Sequence, residues 1–431
     1  MLVIRGNKLT LFPLRDETLE SFWRDTEDVL ASSQYGLEVI NELELSCLHL
    51  SDKMTDKLGE LLQQHAFTKI SLQSCTATPP LLEYFLKQVQ SCCQLQCLES
   101  NGTLSDCWSP SSMQILEEIP LKALRLLGMC FPQVGDVEMT NAAETELSEV
   151  TSTPKQPLHE ELQELDLTGC QWEQIESLLP FLKSCTSLQK VSFKCCRLGD
   201  DDIAQILSTL GSLERLRTID LGVNQCGPNG IQAVACLLEE SVSSSSSSLQ
   251  FLDLSYQVVP GGVAFHFERL AQALLSNAKC CKTPLKVLRL AGNQIRDAEL
   301  TSLAMALEHC RLERLDLSTN CISNQGLGLL SQGLARNQHL KTLNLRNNDF
   351  CSLSMFNIEH NVSLHQVQHV CPPSCPNSQW VEYVCKLNRG GRIILKATNV
   401  PQGLWPTVLA RCCQQNNSDA MYYLLQQGQH R

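Results

Sequence analysis

Residues 285–295 read LKVLRLAGNQI, residues 312–322 read LERLDLSTNCI and residues 340–350 read LKTLNLRNNDF. All three fit L-x-x-L-x-L-x-x-N-x followed by one apolar residue. Working outward, the unit returns as LQELDLTGCQW from Leu162, LQKVSFKCCRL from Leu188, LRTIDLGVNQC from Leu216 and LQFLDLSYQVV from Leu249. Cys takes the Asn place in two of these, and Gln257 in one. Weaker copies precede them: INELELSCLHL from Ile40, FTKISLQSCTA from Phe67, a degraded LQCLESNGT from Leu95, and LKALRLLGMCF from Leu121. Spacings of 26 to 28 residues are interrupted only by steps of 41, 33 and 36. Self-similarity at such a period marks a stacked repeat architecture.

Each unit carries two patterns. The L-x-L alternation predicts a strand with one buried face. The Asn or Cys can hydrogen-bond backbone groups in the turn that leaves the strand, unit upon unit. Apolar residues then recur at i, i+3, i+4 and i+7: Ile203, Ile206, Leu207 and Leu210; Ile231, Val234, Ala235 and Leu238; Leu300, Leu303, Ala304 and Leu307. That is one face of a helix, and Asp200 to Asp202 stand where a helix N-terminus favours aspartate. Neither element buries its face alone, so the units must stack.

These eleven copies resemble the leucine-rich repeat, and their length resembles its ribonuclease-inhibitor-like subfamily. The resemblance covers about residues 40–350. It implies an α/β leucine-rich-repeat solenoid, a horseshoe with a parallel sheet on the concave face and helices on the convex face. Residues 1–39 are expected to be an N-terminal cap, with a strand over IRGNKLTLF (4–12) and a helix from Glu17 to Leu30. The long spacings place insertions near 134–159 (acidic), 241–248 (SVSSSSSS) and 258–283. Residues 351–431 are expected to be a C-terminal cap or small helical extension, with a degenerate copy near Leu364, helices over 380–387, 401–414 and 419–427, and a strand over 392–397.

Composition narrows the function. Hydrophobic residues make up 43% and charged residues 19% of the 431, enough for a packed core. Asp and Glu outnumber Lys and Arg by 46 to 34, for a net charge of −12. A nucleic-acid binder needs the opposite surface, so no nucleic-acid partner is expected. The apolar runs are too short to span a membrane, and the N-terminus does not read as a signal peptide. The 23 cysteines, several adjacent in pairs such as Cys195-Cys196, read as reduced core residues. The compartment expected is the cytosol or the nucleus.

Catalytic motifs are missing: there is no Walker A loop, H-E-x-x-H, G-x-S-x-G or dinucleotide fingerprint. The chain is expected not to be an enzyme and to take no cofactor or small-molecule substrate. His365, His369, Cys371 and Cys375 are zinc-ligand types at close spacing, but the spacing is no standard finger, and no metal is expected. Gly6, Leu9 and Leu11 resemble the N-terminal cap of Ran GTPase-activating proteins. That family implies an essential arginine in an early repeat, yet none occurs between Arg24 and Arg125. A substrate-recognition subunit of a ubiquitin-ligase-type complex is a further alternative, although residues 1–39 show no F-box.

The reading favoured is a non-catalytic scaffold that binds a protein through its concave face and rim loops. Unit positions 3, 5 and 7 point out of that face. They supply an acidic stretch, Glu164, Asp166, Asp220 and Asp253, with Phe251 as the aromatic. A second stretch holds Arg289, Arg314, Asp316, Asn344 and Arg346. These ten are the candidate partner-binding residues, since charge patterning steers and selects protein partners.

Overall fold

The computed structural model describes residues 2–12, 40–131, 161–240, 249–258, 267–280, 284–392 and 418–428, with short breaks. The whole of the N-terminal helix expected over 17–30, the insertions 134–159 and 241–248, and most of 393–417 lie outside the described residues. The chain forms two compact units, Met1–Arg197 with Ser212–Leu216, and Leu198–Gly211 with Arg217–Arg431.

The first unit holds β1 (Leu2–Arg5), β2 (Lys8–Leu11), β3 (Glu42–Ser46), α1 (Asp52–Gln64), β4 (Lys69–Gln73), α2 (Pro79–Gln90) and β5 (Cys97–Asn101). There follow α3 (Pro110–Glu117), β6 (Ala123–Leu127), β7 (Cys130–Phe131), β8 (Glu164–Asp166), β9 (Gln171–Trp172), α4 (Leu179–Ser184) and β10 (Lys190–Ser192). The single strand expected over 4–12 is an antiparallel hairpin, with Leu2 opposite Leu11 and Arg5 opposite Lys8. From β2 onward the main sheet is parallel in unbroken register. The degraded copy at Leu95 builds β5 as a full strand, because its alternation survives in Leu98 and Ser100, both buried.

The second unit holds α5 (Asp200–Leu210), β11 (Thr218–Asp220), α6 (Pro228–Glu240), β12 (Phe251–Asp253), α7 (Phe267–Cys280), β13 (Val287–Arg289) and α8 (Asp297–His309). It continues with β14 (Arg314–Asp316), α9 (Asn324–Arg336), β15 (Thr342–Asn344), β16 (Gln366–Gln368), α10 (Pro376–Arg389) and α11 (Ser418–Gly428). Its sheet is also parallel, from β11 to β16. Repeat geometry therefore runs past Phe350: the degenerate copy at Leu364 supplies β16, and α10 is its helix. Among the described residues no helix is long and apolar enough to cross a membrane.

The core lies between sheet and helices. Ile203, Ile206, Leu207, Leu210, Ile231, Val234, Ala235 and Leu238 are each at most 1% exposed, as the helical spacing predicts. Strand leucines such as Leu252, Leu288 and Leu315 are equally buried, each at most 2% exposed.

Hydrogen-bond ladders join the repeats. Asn224 accepts from Leu198 N, Gln257 Oε1 from Cys226 N, Asn293 from Gln257 N, and Asn348 from Ile322 N. Their amide nitrogens donate back to strand-end carbonyls, as Asn293 does to Leu254 O at 2.8 Å. In the cysteine copies the thiol donates instead: Cys75 to Leu45 O, Cys170 to Leu126 O and Cys196 to Leu167 O. A second ladder stands at the helix exits. Asn277, Asn337, Asn361 and Asn388, all buried, donate to carbonyls of Leu238, Leu307, Leu334 and Leu364.

Unit position 8 is left-handed in each copy from Ile40 to Leu340 in which it is described. Cys47, Ser74, Cys195, Val223, Tyr256, Thr319 and Asn347 have φ between +52° and +60°, and Gly128, Gly169 and Gly292 between +68° and +76°. The turn aims this N–H at the position-7 carbonyl of the next repeat, as in Val223 N to Ser255 O at 2.8 Å. Acids of one repeat also cap the helix of the next. The Asp200 carboxylate accepts from Gly227 N, Asn229 N and Gly230 N, and Asp297 from Ser323 N.

Candidate functional site

Pairing register sets the open face of the second unit. Phe251, Val287, Arg314, Thr342 and Gln366 form one row across the strands. Asp253, Arg289, Asp316, Asn344 and Gln368 form the next. Arg346 follows beyond the end of β15. Because successive side chains alternate faces, the core leucines between these rows point the other way. Glu164 and Asp166 lie on β8 of the first unit, whereas Asp220 and Asp253 lie on β11 and β12 of the second.

The acidic residues differ from the expectation of an exposed stretch. The Asp166 carboxylate accepts from Thr168 N at 3.0 Å and from the Thr168 hydroxyl at 2.6 Å. Asp220 accepts from Gly222 N, Asp253 from Ser255 N, and Asp316 from Ser318 N and Oγ. Asn344 does the same for Arg346 N. Each closes the turn that leaves its strand, the local work for which Asp and Asn side chains suit. Asp253 is only 5% exposed and is therefore part of the interior rather than of a free face. The physical cause is local: as the chain leaves the strand, the N–H two residues on, at position 7, turns back onto the position-5 carboxylate.

Glu164 is engaged differently. It lies 3.3 Å from Arg125 and 2.5 Å from Lys190, and these hydrogen-bonded cations hold its carboxyl below the usual range, Lys190 foremost, against the opposing effect of burial. Arg125 reaches Glu99 at 3.7 Å, and Lys69 reaches Glu99 at 3.1 Å. Lys8 pairs with Glu44 further along the same sheet. Cation and anion thus alternate across β2 to β10, and the face of the first unit neutralises itself.

In the second unit Arg289 stacks over the Phe251 ring at 5.1 Å and reaches Asp253 at 3.3 Å. This three-residue cluster covers the aromatic with a guanidinium plane. Arg314 and Arg346 are exposed, and neither guanidinium has an ion pair or hydrogen bond among the described residues. Arg314 lies near Glu313, but that carboxylate is held by Lys341 at 2.8 Å and lies 3.8 Å from Lys286. So the acids of the site are engaged within the fold, while two of its three arginines are not.

The four metal-type residues do not converge. Among the described residues no group of three or more His, Cys, Asp or Glu could hold a metal ion. Cys371 is buried, and Cys375 stands at the start of α10, where the backbone N–H groups of Ser378 and Asn377 lower its thiol pKa.

Sequence reasoning missed the groove at the end of the second unit. It has a volume of about 730 Å³ and lies beside β16 and α10. Arg346, Gln368, His369, Ser378, Glu382 and Lys386 are among its walls. The signal available was the degenerate copy near Leu364, whose strand puts Gln366 and Gln368 on the same rows as the candidate residues.

The leucine-rich-repeat family pattern matches residues 309–331 and 336–350. A mouse protein described as NACHT, LRR and PYD domains-containing protein 12 is 33% identical over 43% of this chain and 17% of its own length. Mouse Tonsoku-like protein is 29% identical over 38% of this chain and 14% of its own, and human NLRC5 is 26% identical over 72% and 21%. The chain therefore spans less than a quarter of the length of these curated relatives. A solved internalin of Listeria monocytogenes aligns over 85% of this chain and 87% of its own at 15% identity, with a TM-score of 0.42. Register, ladders and family pattern agree: the chain is built of strand–helix units of leucine-rich-repeat type, an α/β solenoid fold.

Proposed function

We propose that the chain is a non-catalytic scaffold that binds a partner protein through the open sheet face of its second unit and the adjoining rim. The observation that carries this reading is the asymmetry of the face. Its acids close turns or pair with cations, whereas Arg314 and Arg346 stand exposed and unpaired among the described residues. Arginine is favoured at protein interfaces, where its planar fork meets carboxylates and carbonyls. A sheet already ordered by its ladders loses little entropy on docking.

Repeat spacing and one helix of 11 to 14 residues in most units of the second unit support the ribonuclease-inhibitor-like subtype. A reducing compartment, cytosol or nucleus, fits the thiols of Cys75, Cys170 and Cys196, which must keep their hydrogens to serve as ladder donors.

Paired affinity purification with mass spectrometry tests the proposal. One bait is the intact chain and the other carries Arg314→Glu and Arg346→Glu, with equal thermal melting as the control. A protein captured by the first and lost by the second supports face docking. Identical captures sink it.

A further inference from the structure

The open face of the second unit carries its charge unevenly. From position 2 to position 7, the repeats at Leu285, Leu312 and Leu340 hold Lys286, Arg289, Arg314, Lys341 and Arg346 against Glu313 and Asp316. Five cations thus face two acids, in a chain whose net charge is −12. Backbone hydrogen bonds align position 2 across these repeats: Glu313 N donates to Lys286 O at 2.7 Å, and Lys341 N donates to Glu313 O at 2.8 Å. Glu313 is therefore flanked by a lysine on each side.

Lys341 Nζ lies 2.8 Å from the Glu313 carboxylate, Lys286 Nζ lies 3.8 Å from it, and Arg314 is the next residue along the chain. These cations, Lys341 foremost, hold the Glu313 carboxyl below its ordinary range against the opposing effect of burial. One carboxylate thus answers three cations. In its own row Arg314 stands between Val287 and Thr342, neither of them charged. The acid two residues on, Asp316, is turned to Ser318, whose N–H it accepts at 3.0 Å and whose hydroxyl it accepts at 2.6 Å. Lys286, Arg314 and Lys341 are all exposed. A place that already holds one carboxylate and keeps a surplus of positive charge suits a second carboxylate.

We propose that the partner protein presents an acidic stretch to β13–β15 and sets a carboxylate against Arg314, beside the two lysines that hold Glu313. The inference rests on the protein-binding reading above and adds the chemistry of the partner. Lys286 and Lys341 supply attraction at a distance, and the planar Arg314 guanidinium supplies the directional contact. Glu313 competes with the incoming acid for the same cations. Removing its charge while keeping its shape should therefore tighten the complex, which a purely structural Glu313 would not do.

An array of random decapeptides is probed with the intact chain. The strongest acidic binder is then titrated by fluorescence anisotropy against the intact chain and against Arg314→Glu, Glu313→Gln and Arg336→Glu, each checked by thermal melting. Arg336 lies on α9, where it pairs with Glu308 at 2.9 Å, and serves as the charge control. The expected result is enrichment of Asp and Glu among bound peptides. Arg314→Glu should weaken binding by about tenfold or more, and Glu313→Gln should strengthen it several-fold, with Arg336→Glu changing it by less than about twofold. Binding should also weaken as salt is raised. A Glu313→Gln variant that melts differently yet leaves the anisotropy curve unmoved counts against the proposal. The absence of acidic enrichment, acidic binding indifferent to Arg314→Glu, equal losses for Arg314→Glu and Arg336→Glu, or tighter binding of a single-stranded oligonucleotide than of any acidic peptide overturns it. If no acidic peptide binds while the cellular partner is still lost on Arg314→Glu and Arg346→Glu, face docking stands and the acidic assignment falls.

Discussion

Asn320 and Asn293 are consecutive rungs of one ladder. Asn320 Oδ1 accepts the Asn293 backbone N–H at 2.9 Å and the Ile295 N–H at 3.1 Å. Its Nδ2 donates to Leu290 O and Leu317 O, each at 3.0 Å. One side chain, 5% exposed, thus satisfies buried backbone groups of two repeats at once.

Asn320→Ala would strand those groups in an interior without water. Each unsatisfied group costs on the order of 1–3 kcal/mol, so a loss of roughly 2–4 kcal/mol is expected in urea denaturation. A loss below about 0.5 kcal/mol would mean that the ladder is not a source of stability.

Two glycines of α9 should respond in opposite directions. A Cβ on Gly333 would fall 2.2 Å from the Ala304 backbone carbonyl oxygen, which cannot step aside, whereas on Gly328 nothing would lie nearer than 3.8 Å. Gly333→Ala is expected to destabilise by more than about 2 kcal/mol, and Gly328→Ala to stabilise by about 0.5–1 kcal/mol through helix propensity. Thermal melting of both variants checks the pair; equal shifts would refute the close approach of α8 and α9.

Val223 holds a left-handed backbone, φ +60°, with a β-branched side chain that is 40% exposed. A residue of this type pays a conformational cost there of about 1–2 kcal/mol. Val223→Asn is therefore expected to raise stability by about 1 kcal/mol, since Asn tolerates this region and no buried contact is lost. Calorimetry showing a lower melting temperature would count against the strain.

The Glu164 carboxyl is held below its ordinary range by Lys190 and Arg125. A carboxyl depressed in the folded state contributes stability that is present above the unfolded value and is lost as pH falls through the folded value. Measured from pH 7 down to pH 3, the stability of the intact chain and of Glu164→Gln should converge towards the acid end. A gap that stays constant across that range would mean that the ion pairs with Arg125 and Lys190 do not contribute.

The spacing of Leu162, Leu188, Leu216, Leu249, Leu285, Leu312 and Leu340 determines by itself that strands and helices alternate and stack, because burial repeats with the period of the unit. The helix face of Ile203, Ile206, Leu207 and Leu210 was legible for the same reason, as was the role of Asn224, Asn293 and Asn320, whose chemistry admits few other uses. The second ladder through Asn277, Asn337, Asn361 and Asn388 was not legible, since polar residues near helix ends are common and only stacking reveals their alignment. Nor was the left-handed turn at position 8, where residues as different as Cys47, Val223 and Tyr256 obey one backbone geometry imposed by the next repeat.

Tertiary structure alone decided which charges are available. Asp253 and Asp316 look like surface acids along the chain, but the turn folds N–H groups over them. Glu164 looks unpaired until β6 and β10 bring Arg125 and Lys190 beside it. Arg314 and Arg346 carry the same charge as Arg289, and only the register of β12 with β13, which sets Arg289 over Phe251 and Asp253, tells them apart. A one-dimensional pattern records which residue types alternate; which of them meet depends on neighbours some 27 residues away, brought side by side by burial of the leucines between them.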